Sequence, residues 1–154
     1  MIEIPKIIDT VDRPYAALHV TVARSEMQNI MGPSIRDVYA EVAARGLSPT
    51  GPWFTHHLRR PTETFDFEVC VPVGADFAGT GRIEGKTWPA MTVARTQLHG
   101  DYSGLGAAWG EFAAWIAVQG LKTAPDLWEV YSVGPESSNN PADWRTEMNW
   151  QVLP

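Results

Sequence analysis

The apolar positions of this chain follow two periods, and the order of those periods predicts the fold. Segments with a period of two, or with a short apolar run between turn residues, are typical of β-strands. They fall at residues 1–8, 15–24, 53–58, 64–73, 83–86, 91–98, 127–131 and 144–153. The segment 64–73 (TFDFEVCVPV) alternates most clearly, with Phe and Val on one face. A sheet with many strands is therefore predicted.

Two further segments have the spacing of an α-helix. Their apolar stripes are Ile35, Val38 and Val42 in one, and Leu105, Trp109, Phe112 and Ile116 in the other. The first helix is predicted to begin near Pro33, a residue favoured at first helical positions, and to stop at Gly46. The second is predicted to begin with Ser103 as its N-cap and to stop at Gly120.

The order strand–helix–strand–strand occurs twice, which indicates a tandem duplication. The run 22–24 (VAR) recurs at 93–95, and Gly46-Leu47 recurs at 120–121. We therefore predict a single α+β domain over residues 1–154, with internal repeats at approximately 1–74 and 75–154. Two such βαββ units are expected to form an antiparallel sheet with both helices on one face and a central groove between the halves.

The spacing of 74 residues that separates Gly46 from Gly120 also predicts a site in that groove. It aligns Trp53, Thr55 and His57 of the first repeat with Leu127, Glu129 and Tyr131 of the second. If the register holds, these residues face each other across a pseudo-two-fold axis. Glu129 is the one carboxylate in an apolar, aromatic strand (LWEVY), and the other repeat has a threonine there. A buried carboxylate next to a tyrosine suits either a cationic ligand or general-base chemistry.

Other aromatic residues are candidates for ligand stacking. Trp88 is predicted to lie in a Gly/Pro-flanked loop from which it could cover the groove. Trp109 and Phe112 could stack on a flat ligand or hold a cation over a ring face. Their position on a helical stripe is equally typical of plain core residues.

Composition narrows the class of protein. With 44% hydrophobic and 19% charged residues, the 154-residue chain is typical of one globular domain. Its net charge of −6 argues against nucleic acid as a direct partner. No apolar run approaches a membrane span, and the single cysteine suits a cytoplasmic protein. The four histidines do not have a metal-ligand spacing, so neither a metal nor a cofactor is expected.

Several runs together resemble a known family. GPWFTHHL, FDFEVCVPV, HGDYSGL, LWEVY and DWRTEMNWQVLP are similar to the GyrI-like small-molecule-binding domain. That fold is shared with SOUL haem-binding proteins and with effector-binding domains of AraC- and MerR-type regulators. The resemblance implies that Glu129 lies in a central pocket for cationic or polar aromatic ligands, and it matches Glu147 to the glutamate of the closing strand. His56-His57 stands where a tyrosine is common.

Three functions remain open at this point. The first is a stand-alone binding module for a hydrophobic, aromatic or cationic small molecule of the drug or toxin type. The second, implied by the resemblance, is a hydrolase that opens cyclopropane-containing toxins, with Glu129 as general base and Tyr131 or His57 orienting the ligand. The third is a protein-interaction module, with gyrase or a regulator as the partner.

Overall fold

The computed structural model describes residues 2–79 and 81–154 and confirms the α+β class. Within these residues, eight strands and two helices follow one another. They are β1 (Lys6–Asp9), β2 (Arg13–Ala23), α1 (Met27–Ala44), β3 (Phe54–His57), β4 (Thr64–Pro72), β5 (Ile83–Trp88), β6 (Thr92–His99), α2 (Leu105–Val118), β7 (Lys122–Val133) and β8 (Arg145–Leu153). Short 3₁₀ turns precede both helices, at Arg24–Glu26 and Tyr102–Gly104, and a third, Pro141–Asp143, precedes β8.

Residues Val11–Ala90 form one compact unit, here called the first unit. Its strands run in the order β3-β4-β2-β5, and every neighbouring pair is antiparallel. Helix α1 packs on β2 and β4. Val38 and Val42 of α1 are buried with alternate residues of β4, including Phe67 and Val69. One face of these strands is therefore the helix face, and Asp66, Glu68 and Cys70 of β4 lie on the opposite face.

The second unit combines the chain up to Thr10 with Met91–Pro154. Its strands run in the order β7-β8-β6-β1, and all three neighbouring pairs are antiparallel. Trp109, Phe112 and Ile116 of α2 are buried against Leu127 and Met148 on its helix face. The two units thus repeat one topology, with β2, α1, β3 and β4 corresponding to β6, α2, β7 and β8.

The compact units differ from the two sequence repeats in their edge strands. Strand β1 lies in the first repeat, yet it pairs with β6, where Lys6 is opposite Arg95. Strand β5 lies in the second repeat, yet it pairs with β2, where Trp88 is opposite Arg13. Each repeat therefore supplies the outer strand of the unit that is built mainly from the other repeat.

Both helices end as the glycines predict. Gly46 has φ +70° and Gly120 has φ +71°, values in the left-handed region that favours glycine. The N–H of Gly46 donates to the Ala43 carbonyl, and the next N–H donates to Val42. Gly120 makes the equivalent bonds together with its own successor. Two carbonyls at each helix end are satisfied in this way.

The predicted helix starts are wrong in both repeats. Helix α1 begins at Met27, six residues before Pro33, which lies inside it. Met27 and Met31 extend the apolar stripe by two turns and pack against the core, and this burial outweighs the hydrogen bond that proline cannot make. In the second repeat α2 begins at Leu105, with Gly104 rather than Ser103 at its N-cap position. Asp101 instead caps the preceding 3₁₀ turn, where its carboxylate accepts from the Ser103 N–H at 3.0 Å.

Candidate functional site

Glu129 lies in the middle of β7 and is 8% exposed. It is opposite Met148 of β8, and Leu127 is opposite Trp150. Since both partners belong to the core under α2, Glu129 also lies on the helix face. The alternation of the LWEVY run predicts this placement, with Trp128 and Val130 on the opposite face. A carboxylate is thereby held within an apolar core, where a charged group is uncommon.

Two aromatic donors hold the Glu129 carboxylate. The indole Nε1–H of Trp109 donates to Oε2 at 2.6 Å, and the phenolic O–H of Tyr131 donates to Oε1 at 2.7 Å. Hydrogen bonds to an ionised acceptor are shorter and stronger than neutral ones. One bond to each oxygen fixes the plane of the carboxylate, so its direction is set by α2 and by its own strand.

Aromatic rings continue from Glu129 towards the surface. Tyr102 meets Tyr131 edge to face, with centroids 5.8 Å apart, and it lies 5.1 Å from Trp144. Tyr131 is buried, whereas Tyr102 and Trp144 are half-buried. Trp109 on the other side packs on Phe112 and Trp150. The carboxylate is therefore surrounded by large rings within the second unit alone.

Tyr102 experiences the charge of two glutamates. Burial, followed by the negative charges of Glu136 and Glu129, raises the pKa of the Tyr102 phenol to about 12. The phenol thus stays protonated and remains a donor at all physiological pH values. The two negative charges that contribute to this raised pKa would also attract a cation at the same place.

The structure brings four of the predicted site residues together. Glu129, Tyr131 and Trp109 form one hydrogen-bonded cluster, and the fully buried Phe112 packs behind Trp109. Glu147 lies elsewhere, on the opposite face of β8, because it follows the buried Thr146 by one residue.

Glu147 has its own polar surroundings. Its carboxylate lies 3.2 Å from Nε of Arg95 and accepts from the side-chain amide of Asn149 at 3.0 Å. It lines a cleft of about 100 Å³ at the edge of the second unit, together with Glu3 and Lys6. This cleft belongs to β1, β6 and β8 and is distinct from the Glu129 cluster.

The predicted residues of the first unit occupy its helix face, with one exception. Trp53 packs partly buried against the core, and the Thr55 hydroxyl lies 3.2 Å from Nε2 of His57. The His57 ring stacks on Phe67 at 5.4 Å. That these residues share a groove with Glu129 stays a prediction.

The exception is Trp88, whose predicted loop position is wrong. Strand β5 extends to Trp88, which pairs opposite Arg13. Its ring lies 5.3 Å from that of Phe54, which in turn lies 5.5 Å from Tyr15. The pairing of β5 with β2 continues as far as Trp88, and Pro89 then ends the strand.

A second polar centre lies on the opposite face of the first unit. Glu68 is 2% exposed, and its carboxylate contacts Lys86, His56 Nδ1 at 2.9 Å and the Tyr15 hydroxyl at 3.3 Å. Burial raises the pKa of Glu68, but hydrogen bonds from His56 and Lys86 outweigh it, so the pKa lies below its ordinary value. This ion network joins β2, β3, β4 and β5, and it stabilises the unit.

Sequence reasoning missed three residues next to the Glu129 cluster. Tyr102 contacts Tyr131 of the cluster, and Trp144 and Glu136 lie near Tyr102. All three come from connections: the 3₁₀ turn before α2 and the segment between β7 and β8. The signal that could have found Tyr102 and Trp144 is an aromatic residue in an otherwise polar turn, at HGDYSG and at NPADW. Periodicity assigns no face to residues outside helices and strands.

Residues 2–79 and 81–154 contain no group of three or more His, Cys, Asp or Glu side chains that could hold a metal ion. Within the same residues, neither α1 nor α2 has the length and apolar character needed to cross a bilayer.

The fold and the cluster together define an α+β domain of two related βαββ units with a buried, aromatic-lined carboxylate. Comparison with protein families then identifies the group. The GyrI-like small molecule binding domain matches residues 5–153, and the chain belongs to this family. A search of curated proteins finds no match to the sequence.

Solved structures show the same fold at low sequence identity. The C-terminal domain of EcmrR is 22% identical, with a TM-score of 0.85 over 97% of this chain and 96% of that domain. The chain spans 57% of EcmrR in its complex with DNA. A hydrolase from Listeria innocua is 11% identical (TM-score 0.71; 97% and 91% covered). SAV2435 bound to tetraphenylphosphonium is 12% identical (TM-score 0.67; 98% and 94% covered).

Proposed function

We propose that this chain is a cytoplasmic small-molecule-binding domain whose ligand is a lipophilic aromatic cation. The proposal rests on the buried Glu129 carboxylate, which Trp109 and Tyr131 hold by hydrogen bonds within a cluster of aromatic rings. The cation binds against this carboxylate, and its apolar substituents contact the surrounding aromatic side chains.

The chemistry of the cluster suits such a ligand. A cation over an aromatic face gains about 0.5–2 kcal/mol for each ring, and the gain grows as water is excluded. A carboxylate among those rings adds an attraction that is strong because the local dielectric constant is low. A neutral ligand of the same shape gains the apolar contact only, so the site discriminates by charge.

A solved relative supports the ligand class. SAV2435, which shares the fold, was determined with tetraphenylphosphonium bound. This ion is a large, delocalised cation surrounded by phenyl groups, and it is therefore a suitable probe for the present chain. At 12% sequence identity, SAV2435 is evidence for a shared fold only. The ligand of this chain has to be determined by experiment.

A matched pair of ions tests the proposal. Quenching of tryptophan fluorescence is titrated with tetraphenylphosphonium and with tetraphenylborate, an anion of the same shape. We expect binding of the cation and none of the anion. Glu129→Gln keeps the side-chain size and removes the charge, and it should weaken cation binding by at least about 30-fold. Glu111→Gln, at an exposed position of α2, controls for the change in net charge.

Two results of these titrations would contradict the proposal. Equal binding of both ions, or equal cation affinity of wild type and Glu129→Gln, overturns the proposal. Circular dichroism of each variant, recorded alongside, identifies any loss that comes from unfolding rather than from the missing charge.

The hydrolase is the second candidate, and the Glu129–Tyr131 hydrogen bond favours it. In that reaction Glu129 takes a proton from water, and the water oxygen forms a bond to a carbon of an activated cyclopropane. The ring C–C bond breaks, and its electron pair passes to the conjugated acceptor, which takes up a proton. Mass spectrometry should detect a product that is one water heavier. An unchanged substrate after prolonged incubation removes this candidate.

A further inference from the structure

The segment after β7 places a second carboxylate beside the aromatic cluster. A side-chain carbon added at the buried Gly134 would lie 2.8 Å from the hydroxyl oxygen of Tyr102. It would lie 3.0 Å from each carboxylate oxygen of Glu136. The Tyr102 hydroxyl and the Glu136 carboxylate therefore lie close to each other, beside the same backbone atom.

Hydrogen bonds hold this segment in place. The N–H groups of Ser137 and Ser138 both donate to the Gly134 carbonyl, at 2.9 and 3.1 Å. The indole N–H of Trp144 donates to the Ser138 carbonyl at 3.0 Å. Trp144 also packs on Tyr102, so the turn that carries Glu136 is attached to the ring next to it.

Exposure increases along this series of residues. Glu129 and Tyr131 are buried, Tyr102 and Trp144 are half-buried, and Glu136 is exposed. A ligand that reaches Glu129 past Tyr102 would extend towards Glu136. Tyr102 contacts the ring of Tyr131, which is bonded to Glu129, and its hydroxyl lies near the Glu136 carboxylate beside Gly134.

We propose that Glu136, Tyr102 and Trp144 form an outer subsite for a second cationic group. The preferred ligands are then elongated dications with an aromatic or apolar spacer, one head at Glu129 and the other at the exposed rim. This inference rests on the proposed function, because the inner head needs the Glu129 site.

The two subsites contribute unequally. The inner head is desolvated, and its affinity depends on a buried charge. The outer head stays in contact with water, where an ion pair contributes little to affinity and is screened by salt. An adjacent ring face adds a contribution of similar size. A matched dication should therefore bind about three- to tenfold more tightly than the corresponding monocation, and the advantage should shrink at high salt.

The experiment compares bis(triphenylphosphonium) alkanes over a series of spacer lengths with alkyl triphenylphosphonium ions of matched chain length. Each is titrated against wild type, Glu136→Gln and the control Glu111→Gln. We expect one range of spacer lengths to bind best to wild type. Glu136→Gln should weaken those dications about two- to fivefold more than it weakens the matched monocations. A statistical advantage from two identical heads is the same in all three proteins and cancels in this comparison.

The failures are distinguishable. If monocations bind but Glu136→Gln affects dications no more than Glu111→Gln does, the outer subsite is overturned and the Glu129 site stands. If the dication advantage persists unchanged at high salt, it comes from apolar contact, and the subsite is likewise overturned. If neither ligand class binds to wild type, both proposals fail.

Discussion

Tyr131 donates its phenolic hydrogen to Glu129 across 2.7 Å, and the two residues are next but one on the same strand. Residues with that spacing share a face of the sheet, so no loop or helix is needed to bring the donor to the acceptor. The carboxylate is thereby held from within β7, and the bond from Trp109 adds a second constraint from α2.

Tyr131→Phe should lower the free energy of unfolding by about 1–3 kcal/mol, because it removes a donor from a buried carboxylate. Urea denaturation measures this. In a Glu129→Gln background the same change should cost less, since the acceptor is then neutral. We expect a coupling of about 0.5–2 kcal/mol in the double-mutant cycle. Additive effects would show that the bond contributes no more than ring packing.

The Glu68 network predicts how stability depends on pH. The pKa of Glu68 is held below its ordinary value of 4.5, so folding stabilises the charged form. That stabilisation is complete above pH 4.5 and is lost as the pH falls through the lower, folded-state pKa. Glu68→Gln should therefore unfold less steeply with acid over this range than wild type does, as measured by urea midpoints.

Lys86 predicts how stability depends on pH at the alkaline end of the range. Burial lowers its pKa, but the hydrogen bond and charge of Glu68 outweigh this, so the pKa lies above its ordinary value of 10.5. The stabilisation is therefore complete below pH 10.5 and is lost at higher pH. Lys86→Met should remove the loss at alkaline pH and also reduce the acid dependence. Identical pH profiles for wild type and both variants would contradict the role of the pair.

The two helix-ending glycines should respond alike to substitution. Gly46→Ala and Gly120→Ala meet no atom within 4 Å, so their cost is the left-handed backbone alone, about 1–2 kcal/mol each. Gly110→Ala is the matched contrast. It also meets open space, but it lies inside α2, where alanine should stabilise by about 0.5–1 kcal/mol. Thermal unfolding of the three variants should give two losses and one gain.

Cys70 should be chemically silent in the folded protein. The thiol is fully buried, and burial together with the charge of Glu68 raises its pKa well above the usual range. Since the thiolate is the reactive form, a disulfide reagent should modify Cys70 only when the unit opens. The modification rate should therefore follow the unfolding equilibrium across urea concentrations. Fast modification without denaturant would contradict this.

Periodicity predicts the strands better than the helix starts. Segment 64–73 is correctly predicted to within one residue because burial of one face imposes strict alternation. Helix α1 starts before Pro33 because packing of two methionines outweighs a local preference. The order of strands within each unit depends on pairing between distant residues, and such partners leave no local signal in the sequence.

The candidate site was predicted only in part, because contacts between distant residues leave no local signal in the sequence. Glu129 stands out because a single carboxylate interrupts an apolar run, and Tyr131 follows from its spacing. Trp109 lies on a stripe that fits a core residue equally well, and its indole bond to Glu129 is a matter of three-dimensional geometry. Glu136 gives no signal at all, since only the turn at Gly134 brings it to Tyr102.

The exchange of edge strands has a consequence for synthesis on the ribosome. The first unit is continuous from Val11 to Ala90, so all of its strands have been synthesised before β6 is translated. Strand β1 emerges earlier than any of them, yet its partner Arg95 lies 89 residues after Lys6. The nascent chain therefore carries β1 without its sheet partner until β6 has been made, after every strand of the first unit.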